Sequence, residues 1–315
     1  MTDSYSGDDY RYMAQALALA ARGLYTTDPN PRVGCVIVSQ QGMVVGEGWH
    51  QRAGEPHAEL LALRAAGRKS EGATAYISLE PCCHQGQTPP CTDALLAAKL
   101  GRVVAACADP NPVAAGGIAL LQKAGMPASL GLLADQARAL NCGFFKRMRS
   151  GRPYVRLKMA MSLDGRTALN NASSRWITGT QARSDVHHWR ARSSAIMTGI
   201  QTVLMDDPLL NSRYRPVDGS EPQIKQPTVV VLDSHLRTPP AAKLFNSQRP
   251  VWLFTTSNKK GEFPLNTEVI KVSGTAQGLN LEEVLQQLAA WAINEVLVEA
   301  GSTLAGNLLQ AKLLD

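Results

Sequence analysis

Apolar positions recur at helical spacing between Asp9 and Arg22 (Met13, Leu17, Ala20, Ala21). The pattern stops at Gly23, so the first predicted element is an amphipathic helix. Two short apolar runs, VGCVIV and MVVGEGW, flank the Gln41-Gly42 pair and predict two buried strands joined by a turn. A helix from about His57 to Ala66, a strand ATAYISL, a helix after Pro90, a strand RVVAACA and one long helix from Leu133 to Arg149 complete the first half. Strands alternating with helices imply an α/β sheet covered by helices on its faces. The last helix runs into the basic stretch KRMRSGRP, and Ser150, Gly151 and Pro153 set a domain boundary there.

The pattern then restarts. Strand PYVRLKMAM, a helix near Gln181 to Arg192, and strands SAIMTG, PTVVVLD, VWLFTT and EVIKV come first. Helix Leu281 to Trp291, strand NEVLVEAG and helix Thr303 to Lys312 follow, which predicts a second α/β domain. The division is 1–150 and 151–315, consistent with roughly 150 residues per domain in a chain of 315.

Composition narrows the class. Hydrophobic residues make up 44% and charged residues 18%, and no apolar run approaches the ~18 residues of a membrane span. The start, MTDSYSGDDYRYM, is acidic and polar where an export signal is basic and then apolar, so a cytoplasmic location with reduced thiols is expected. A net charge of +6, from 32 basic and 26 acidic residues, favours anionic ligands. Aromatics are only 5% and form no stripe with basic residues, so phosphorylated small molecules are expected rather than nucleic acid.

Six cysteines, at 35, 82, 83, 91, 107 and 142, are too sparse for a disulfide scaffold. Three of them fall in apolar strands or a helix (Cys35, Cys107, Cys142) and read as packing. The others belong to the strongest signal in the chain: His57-Ala58-Glu59, then Pro81-Cys82-Cys83-His84 and, after a short insert, Cys91. His57, Cys82 and Cys91 would hold zinc and leave its fourth tetrahedral position open, which distinguishes a catalytic from a structural site. The ligands precede or open predicted helices, whose N-terminal partial charge favours thiolates. Glu59, two residues past a ligand, is the candidate proton carrier. A closed structural site would recruit Cys83 or His84 as fourth ligand and leave Glu59 without a task.

H-A-E followed by P-C…C resembles the cytidine deaminase-like superfamily of zinc deaminases, whose two cysteines stand three apart. Here they are nine apart, and HQGQTPP fills the gap. That insert, with T-x-D-P-N-P-x-V-G-C-V-I-V from Thr26 and G-W-H-x-x-A-G-x-P-H-A-E from Gly48, is similar to the bifunctional deaminase/reductase family of the riboflavin pathway. The resemblance implies an α/β chain of two domains: an N-terminal cytidine deaminase-like three-layer α/β/α domain and a C-terminal dihydrofolate reductase-like α/β domain. It further implies that Asn30 touches the pyrimidine nucleotide; the competing reading is a turn residue beside Pro31. His50 and His84 stand near the zinc motifs and are candidates to line the same pocket.

In the second half no G-x-G-x-x-G follows a strand, so a Rossmann site is not expected. The segments K-x-x-x-S-L-D-G-R (Lys158 to Arg166), S-x-W-I-T (Ser174 to Thr178) and T-V-L-x-D-D-P-L-L (Thr202 to Leu210) resemble the family's reductase domain. The resemblance implies NADPH contacts from Ala160, Trp176, Thr202, Asp206, Ser234 and a loop of Gly301, Ser302, Thr303, Leu304, Ala305 and Gly306. It implies substrate contacts from Ser174, Arg190, Leu210, Arg213 and Glu299, with Lys158 near the ribose. Bland alternatives exist for several: Trp176 as core, Arg190 as a solvated helix face, Asp206 as a turn before Pro208. His187 and His188 read as helix surface with no ligand role.

The implied chemistry is removal of the 2-amino group of a phosphoribosylamino-diaminopyrimidinone, then NADPH reduction of the ribosyl chain to ribityl, in a homo-oligomer. The rival reading is a zinc deaminase acting on RNA or a free nucleobase, with an unrelated second domain. The family's reductase domain continues for several strands beyond the position matching Asp315, so the sequence is expected to be short at that end.

Overall fold

The structure is a computed structural model that describes residues 5–85, 89–167, 176–215, 224–276 and 278–315. The chain divides into two compact units, 1–149 and 150–315.

In the first unit, helix α1 (Gly7–Ala21) opens with a capping box. Ser6 Oγ accepts the Asp9 N–H at 3.1 Å while the Asp9 carboxylate accepts the Ser6 N–H at 2.8 Å. Strands β1 (Gly34–Val38) and β2 (Val44–Trp49) form a hairpin, and helix α2 (Ala58–Ala66) crosses back to β3 (Thr74–Ile77). Helix α3 (Cys91–Ala97), β4 (Arg102–Ala105), α4 (Gly117–Lys123), β5 (Ala128–Leu130), α5 (Ala134–Leu140) and α6 (Cys142–Ser150) follow. The sheet order is β2-β1-β3-β4-β5, antiparallel around β1 and parallel from β3 onward.

The period-2 alternation of strands sorts the core into two layers. Val36, Val38, Tyr76 and Val104 face α1, α5 and α6. Cys35, Ile37, Ala75 and Val103 face α2, α3 and α4. This is the three-layer α/β/α arrangement. Asp9 ties the layers together, because its buried carboxylate accepts from Tyr76 on β3 (2.7 Å) and Arg102 on β4 (2.9 Å).

The single helix expected over Leu133 to Arg149 is two helices broken at Asn141. The cause is a distant pairing: the Asn141 side chain accepts the Arg32 N–H at 2.8 Å and donates to the Arg32 carbonyl at 2.9 Å. A buried side chain occupied by a backbone 109 residues away ends the helix there, and local periodicity does not register it.

The second unit is a parallel sheet in the order β10-β9-β8-β7-β13-β6. Its elements are β6 (Tyr154–Lys158), α7 (Thr180–Arg192), β7 (Ala195–Gly199), α8 (Ile200–Asp206), β8 (Thr228–Leu232), β9 (Val251–Thr255) and β10 (Thr267–Lys271). The two-residue pair β11 (Gly274–Thr275) and β12 (Gly278–Leu279), then α9 (Leu281–Ala290), β13 (Glu295–Glu299) and α10 (Ser302–Gln310), complete it. Val230, Phe254, Val296 and Val298 pack against α9 and α10, while Ile196, Val229, Val231 and Leu253 pack against α8 and the Lys243–Phe245 turn. Both faces are covered, which is why these strands read as continuous apolar runs. The fold is dihydrofolate reductase-like.

Helix α2 lies unusually close to β2. A Cβ added at Gly48 would stand 2.5 Å from the Ala58 carbonyl oxygen and 2.7 Å from the Ala62 nitrogen, and one at Gly46 would stand 2.2 Å from the Ala62 oxygen. The facing residues Ala58, Ala62 and Ala66 are the small side chains this contact allows. Gly48→Ala should therefore push α2 outward and destabilise the first unit by about 1–3 kcal/mol, the usual cost of overpacking. A thermal melt with parallel zinc analysis checks this; an unchanged melting temperature and zinc content would mean that the helix does not need the glycine.

Candidate active sites

His57 is the N-cap of α2 and Glu59 sits in its first turn, while Cys91 is the first residue of α3 and Cys82 lies in the loop after β3. The ligand atoms of His57, Cys82 and Cys91 all lie within 4.8 Å of one another. His57 Nδ1 is 3.2 Å from Cys91 Sγ and 3.6 Å from Cys82 Sγ. Zinc bonds of ordinary length separate tetrahedral ligands by about 3.6 Å, so the three donors fit the metal. The Cys91 backbone N–H donates to Cys82 Sγ at 3.4 Å, a helix-start donor aimed at a thiolate. The hydrogen bond from Cys91 and the neighbouring His57 hold Cys82 well below the usual thiol range, at about 4. Glu59 is buried, at 3% exposure, and burial pushes its carboxyl up.

His57, Glu59 and Cys82 line a cavity of about 550 Å³ with Asn30, His50, His84, Asp109, Asn111 and Arg147. His50 Nδ1 lies 3.3 Å from the Pro56 carbonyl, an acceptor only, so that nitrogen carries the proton. Nε2 then accepts from Asn30 Nδ2 at 3.1 Å, which fixes which end of the Asn30 amide is nitrogen. Burial depresses the His50 pKa and keeps the ring neutral, as this relay requires. Glu80 supports the far wall: its carboxylate accepts from the backbone N–H groups of Asp109, Gly116 and Ile118 at 3.0, 3.2 and 3.0 Å. Asp109 is pushed up to about 6 by burial. Asp109, Asn111 and Arg147 were not among the sequence candidates. The position of Asp109 just past the end of a parallel strand, β4, is the signal that could have found it.

The second unit carries a cavity of about 900 Å³, built at the carboxyl ends of β6 and β13 and on helices α7 and α8. Of the expected NADPH contacts, Ala160, Trp176, Thr202, Asp206, Gly301 and Ser302 line it; of the substrate contacts, Lys158, Arg190, Leu210, Arg213 and Glu299 do. Ser174 lies outside the described residues. Ser234 is not among the lining residues, and its carbonyl accepts from Thr255 and Thr256 hydroxyls at 3.1 and 2.8 Å. The stretch expected as a glycine loop is a loop only at Gly301. Ser302 starts α10, so Thr303, Leu304, Ala305 and Gly306 are helical and do not line the cavity. Gly301 is an N-cap without a side-chain cap, which leaves first-turn N–H groups available to a phosphate. The cavity volume and this helix start fit a dinucleotide.

Arg190 and Glu299 pair in a bidentate fork, Nε–Oε1 2.5 Å and Nη2–Oε2 2.9 Å, and Arg190 Nη1 also donates to the Asn211 carbonyl at 3.0 Å. Trp176 is 72% exposed, not core, with the Arg183 guanidinium 4.5 Å from its ring centroid. Asp206 ends α8, and the following Asp207 is its left-handed cap, φ +42°. His187, given no role above, lines the cavity, with its Nε2 3.0 Å from Arg213 Nη2. Arg183, His187 and Arg190 fall at i, i+4 and i+7 on α7, a spacing that could have found them as one helix face.

The family profile described as "RibD C-terminal domain" matches residues 153–315, and "Cytidine and deoxycytidylate deaminase zinc-binding region" matches 6–107. The riboflavin biosynthesis protein RibD of Escherichia coli (strain K12) is 50% identical over 315 residues, covering 98% of this chain and 85% of that protein. Its counterpart in Haemophilus influenzae is 47% identical over 319 residues, covering 99% and 85%. Among solved structures, Acinetobacter baumannii RibD is similar with a TM-score of 0.89 and 46% identity, covering 98% of this chain and 85% of that one. The Thermotoga maritima diaminohydroxyphosphoribosylaminopyrimidine deaminase/5-amino-6-(5-phosphoribosylamino)uracil reductase is similar with a TM-score of 0.86 and 34% identity, covering 96% and 84%.

The donor set predicts the metal content of variants. His57→Ala, Cys82→Ala and Cys91→Ala should each lose zinc and stability. Cys83→Ala should keep it, because the Cys83 thiol donates to the Ala115 carbonyl at 3.0 Å instead. Metal analysis of the purified variants reads this directly; loss of zinc in Cys83→Ala would mean a four-ligand site.

Proposed function

The chain belongs to the RibD family of bifunctional riboflavin-biosynthesis proteins, and on that premise we propose that the residues up to about 150 deaminate 2,5-diamino-6-(5-phosphoribosylamino)pyrimidin-4-one and those from 151 onward reduce the product's ribosyl chain. The chain is a zinc-dependent deaminase and NADPH-dependent reductase; the substrate and the residue roles are the proposal. One observation carries it: a three-donor metal cluster beside a buried carboxylate, in a cavity of ligand size.

His57, Cys82 and Cys91 would hold zinc, which when bound would supply the Lewis acidity that makes water a nucleophile near neutral pH. Glu59 carries a proton from that water to the departing amine, and the α2 helix start holds both Glu59 and His57 rigidly. Asn30, its amide oriented by His50, offers polar contacts to the pyrimidine edge. NADPH, when bound in the second cavity, would supply the hydride. Ala160, Trp176, Thr202, Asp206 and the Gly301–Ser302 helix start take the cofactor, and Arg190, Leu210, Arg213 and Glu299 the substrate, with Lys158 near the ribose. Ser174, Ser234 and the residues 303–306 keep their assignments by resemblance alone.

The substrate is a small molecule. The two cavities are concave and of a size that suits a small molecule, and that nucleic acid is not a partner remains part of the proposal. No helix among the described residues is long and apolar enough to cross a membrane. A cytoplasmic location, which suits a cluster of reduced thiols, and a homo-oligomeric assembly belong to the same proposal. The rival of a nucleobase or RNA deaminase with an unrelated second half conflicts with the match of residues 153–315 to the reductase domain.

The test is incubation of the purified protein with the diaminopyrimidinone nucleotide, following ammonia and NADPH absorbance separately. Glu59→Gln should lower ammonia release by at least ~10²–10⁴ with zinc retained. Undiminished release would remove Glu59 from the mechanism. NADPH should be used in preference to NADH; equal rates would refute the preference and leave hydride transfer standing.

A further inference from the structure

The deaminase cavity is lined by four carboxylates, Glu55, Glu59, Glu80 and Asp109, and among the described residues by three histidines and one arginine, Arg147, with no lysine. A substrate carrying a phosphate dianion must therefore enter a cavity whose other charged walls repel it. Arg147 stands on α6, half-buried, with its guanidinium 5.9 Å from the Phe144 ring centroid, and Phe144 and Met148 line the cavity beside it. A planar guanidinium held against an aromatic ring is poised for bidentate phosphate contact.

We propose that Arg147 forms the phosphate subsite of the deaminase cavity and makes that site selective for a phosphorylated ribosylaminopyrimidine over its dephosphorylated form. This rests on the deaminase reading above. Burial pushes the guanidinium below its ordinary value and Asp28 opposes that, so an incoming phosphate meets a cation partly stripped of water, where a charged hydrogen bond is strong. Glu55 and Asp109 act in the opposite sense, disfavouring anions bound near the metal. The phosphate is thereby directed to the α6 wall.

The experiment compares wild type, Arg147→Ala, Arg147→Lys and Arg52→Ala at equal zinc content, with phosphorylated and dephosphorylated substrate. Arg52 is the control, an exposed arginine next to the cavity-lining Ala53 that does not itself line the cavity. In Arg147→Ala the preference for the phosphorylated form should fall roughly 10–100-fold, carried by KM, as expected for a lost charged hydrogen bond. Arg147→Lys should regain part of it. An equal loss on both substrates, an unchanged KM, or the same loss in Arg52→Ala would overturn the proposal. Cobalt-substituted protein gives a second readout independent of turnover, because the visible spectrum of the metal reports occupancy of this cavity alone. The phosphorylated substrate should perturb that spectrum at roughly 10–100-fold higher concentration in Arg147→Ala than in wild type. Matching titrations would overturn the phosphate subsite, whereas a wild type that binds but releases no ammonia would overturn the deaminase reading instead.

Discussion

The contact between α2 and β2 is the constraint on which the deaminase site depends. The helix can lie this near the strand only because Gly46 and Gly48 have no side chains and Ala58, Ala62 and Ala66 face them. That closeness fixes the start of the helix with little freedom, and the start carries His57 as N-cap and Glu59 in the first turn. A metal donor and a proton carrier two residues apart then keep their mutual geometry without support from long side chains. On the neighbouring α3, Cys91 occupies the equivalent starting position. Two helix starts thus converge on one point, and the Cys91 N–H at one of them donates to Cys82 Sγ and favours its thiolate form.

The second unit meets a different demand by a different route. Its cavity draws on the carboxyl ends of β6 and β13, the face of α7, α8 and the loop after it, and the start of α10. The loop from Asp207 to Asn211 includes two non-glycine residues with left-handed backbone, Asp207 at φ +42° and Leu210 at φ +50°. Strain of this kind persists where the surroundings over-determine it. Here Lys243 binds Asp207 through both its backbone N–H and its ammonium, Arg249 donates to the carbonyls of Leu209 and Leu210, and Arg190 donates to that of Asn211. Three cations therefore hold the segment that presents Leu210 and Arg213 to the cavity.

This contrast explains what could be read from the chain. The zinc donors were legible because they cluster in sequence and each opens a helix whose pattern is local. Strands such as β1, β8 and β13 were legible because burial makes them continuous apolar runs. The break at Asn141 was not, since its cause is the backbone of Arg32. Helix α8 was missed because β7 runs into it with Gly199 as both last strand residue and N-cap, leaving no loop to announce it. In the reductase cavity only the β13–α10 junction and α8 with the loop after it are local in sequence, and the fold brings the rest together, so the residues came from family resemblance. That resemblance passed over His187 although it shares a helix face with Arg190. It also extended a glycine loop through Gly306 into what is helix.

The charge of the chain is likewise divided according to chemistry. The excess of basic residues seen in the composition pointed to anionic ligands without locating them. Around the second cavity stand Lys158, Arg183, Arg190, Arg213 and Lys243 against Asp206, Asp207 and Glu299. Around the first, carboxylates outnumber the one arginine. A cofactor and a substrate that both carry phosphate need the first of these balances, and cations placed on rigid strand ends and helix faces attract them over a distance comparable to the Debye length of about 8–10 Å. A site that stabilises zinc with two thiolates needs the other. A divalent cation with two thiolates and a neutral imidazole is close to electrically neutral, so added lysines or arginines near it would compete with the metal for the sulfurs. Carboxylates near it favour the metal. An acidic lining therefore suits the metal site, and the one arginine of that lining, Arg147, stands on the α6 wall.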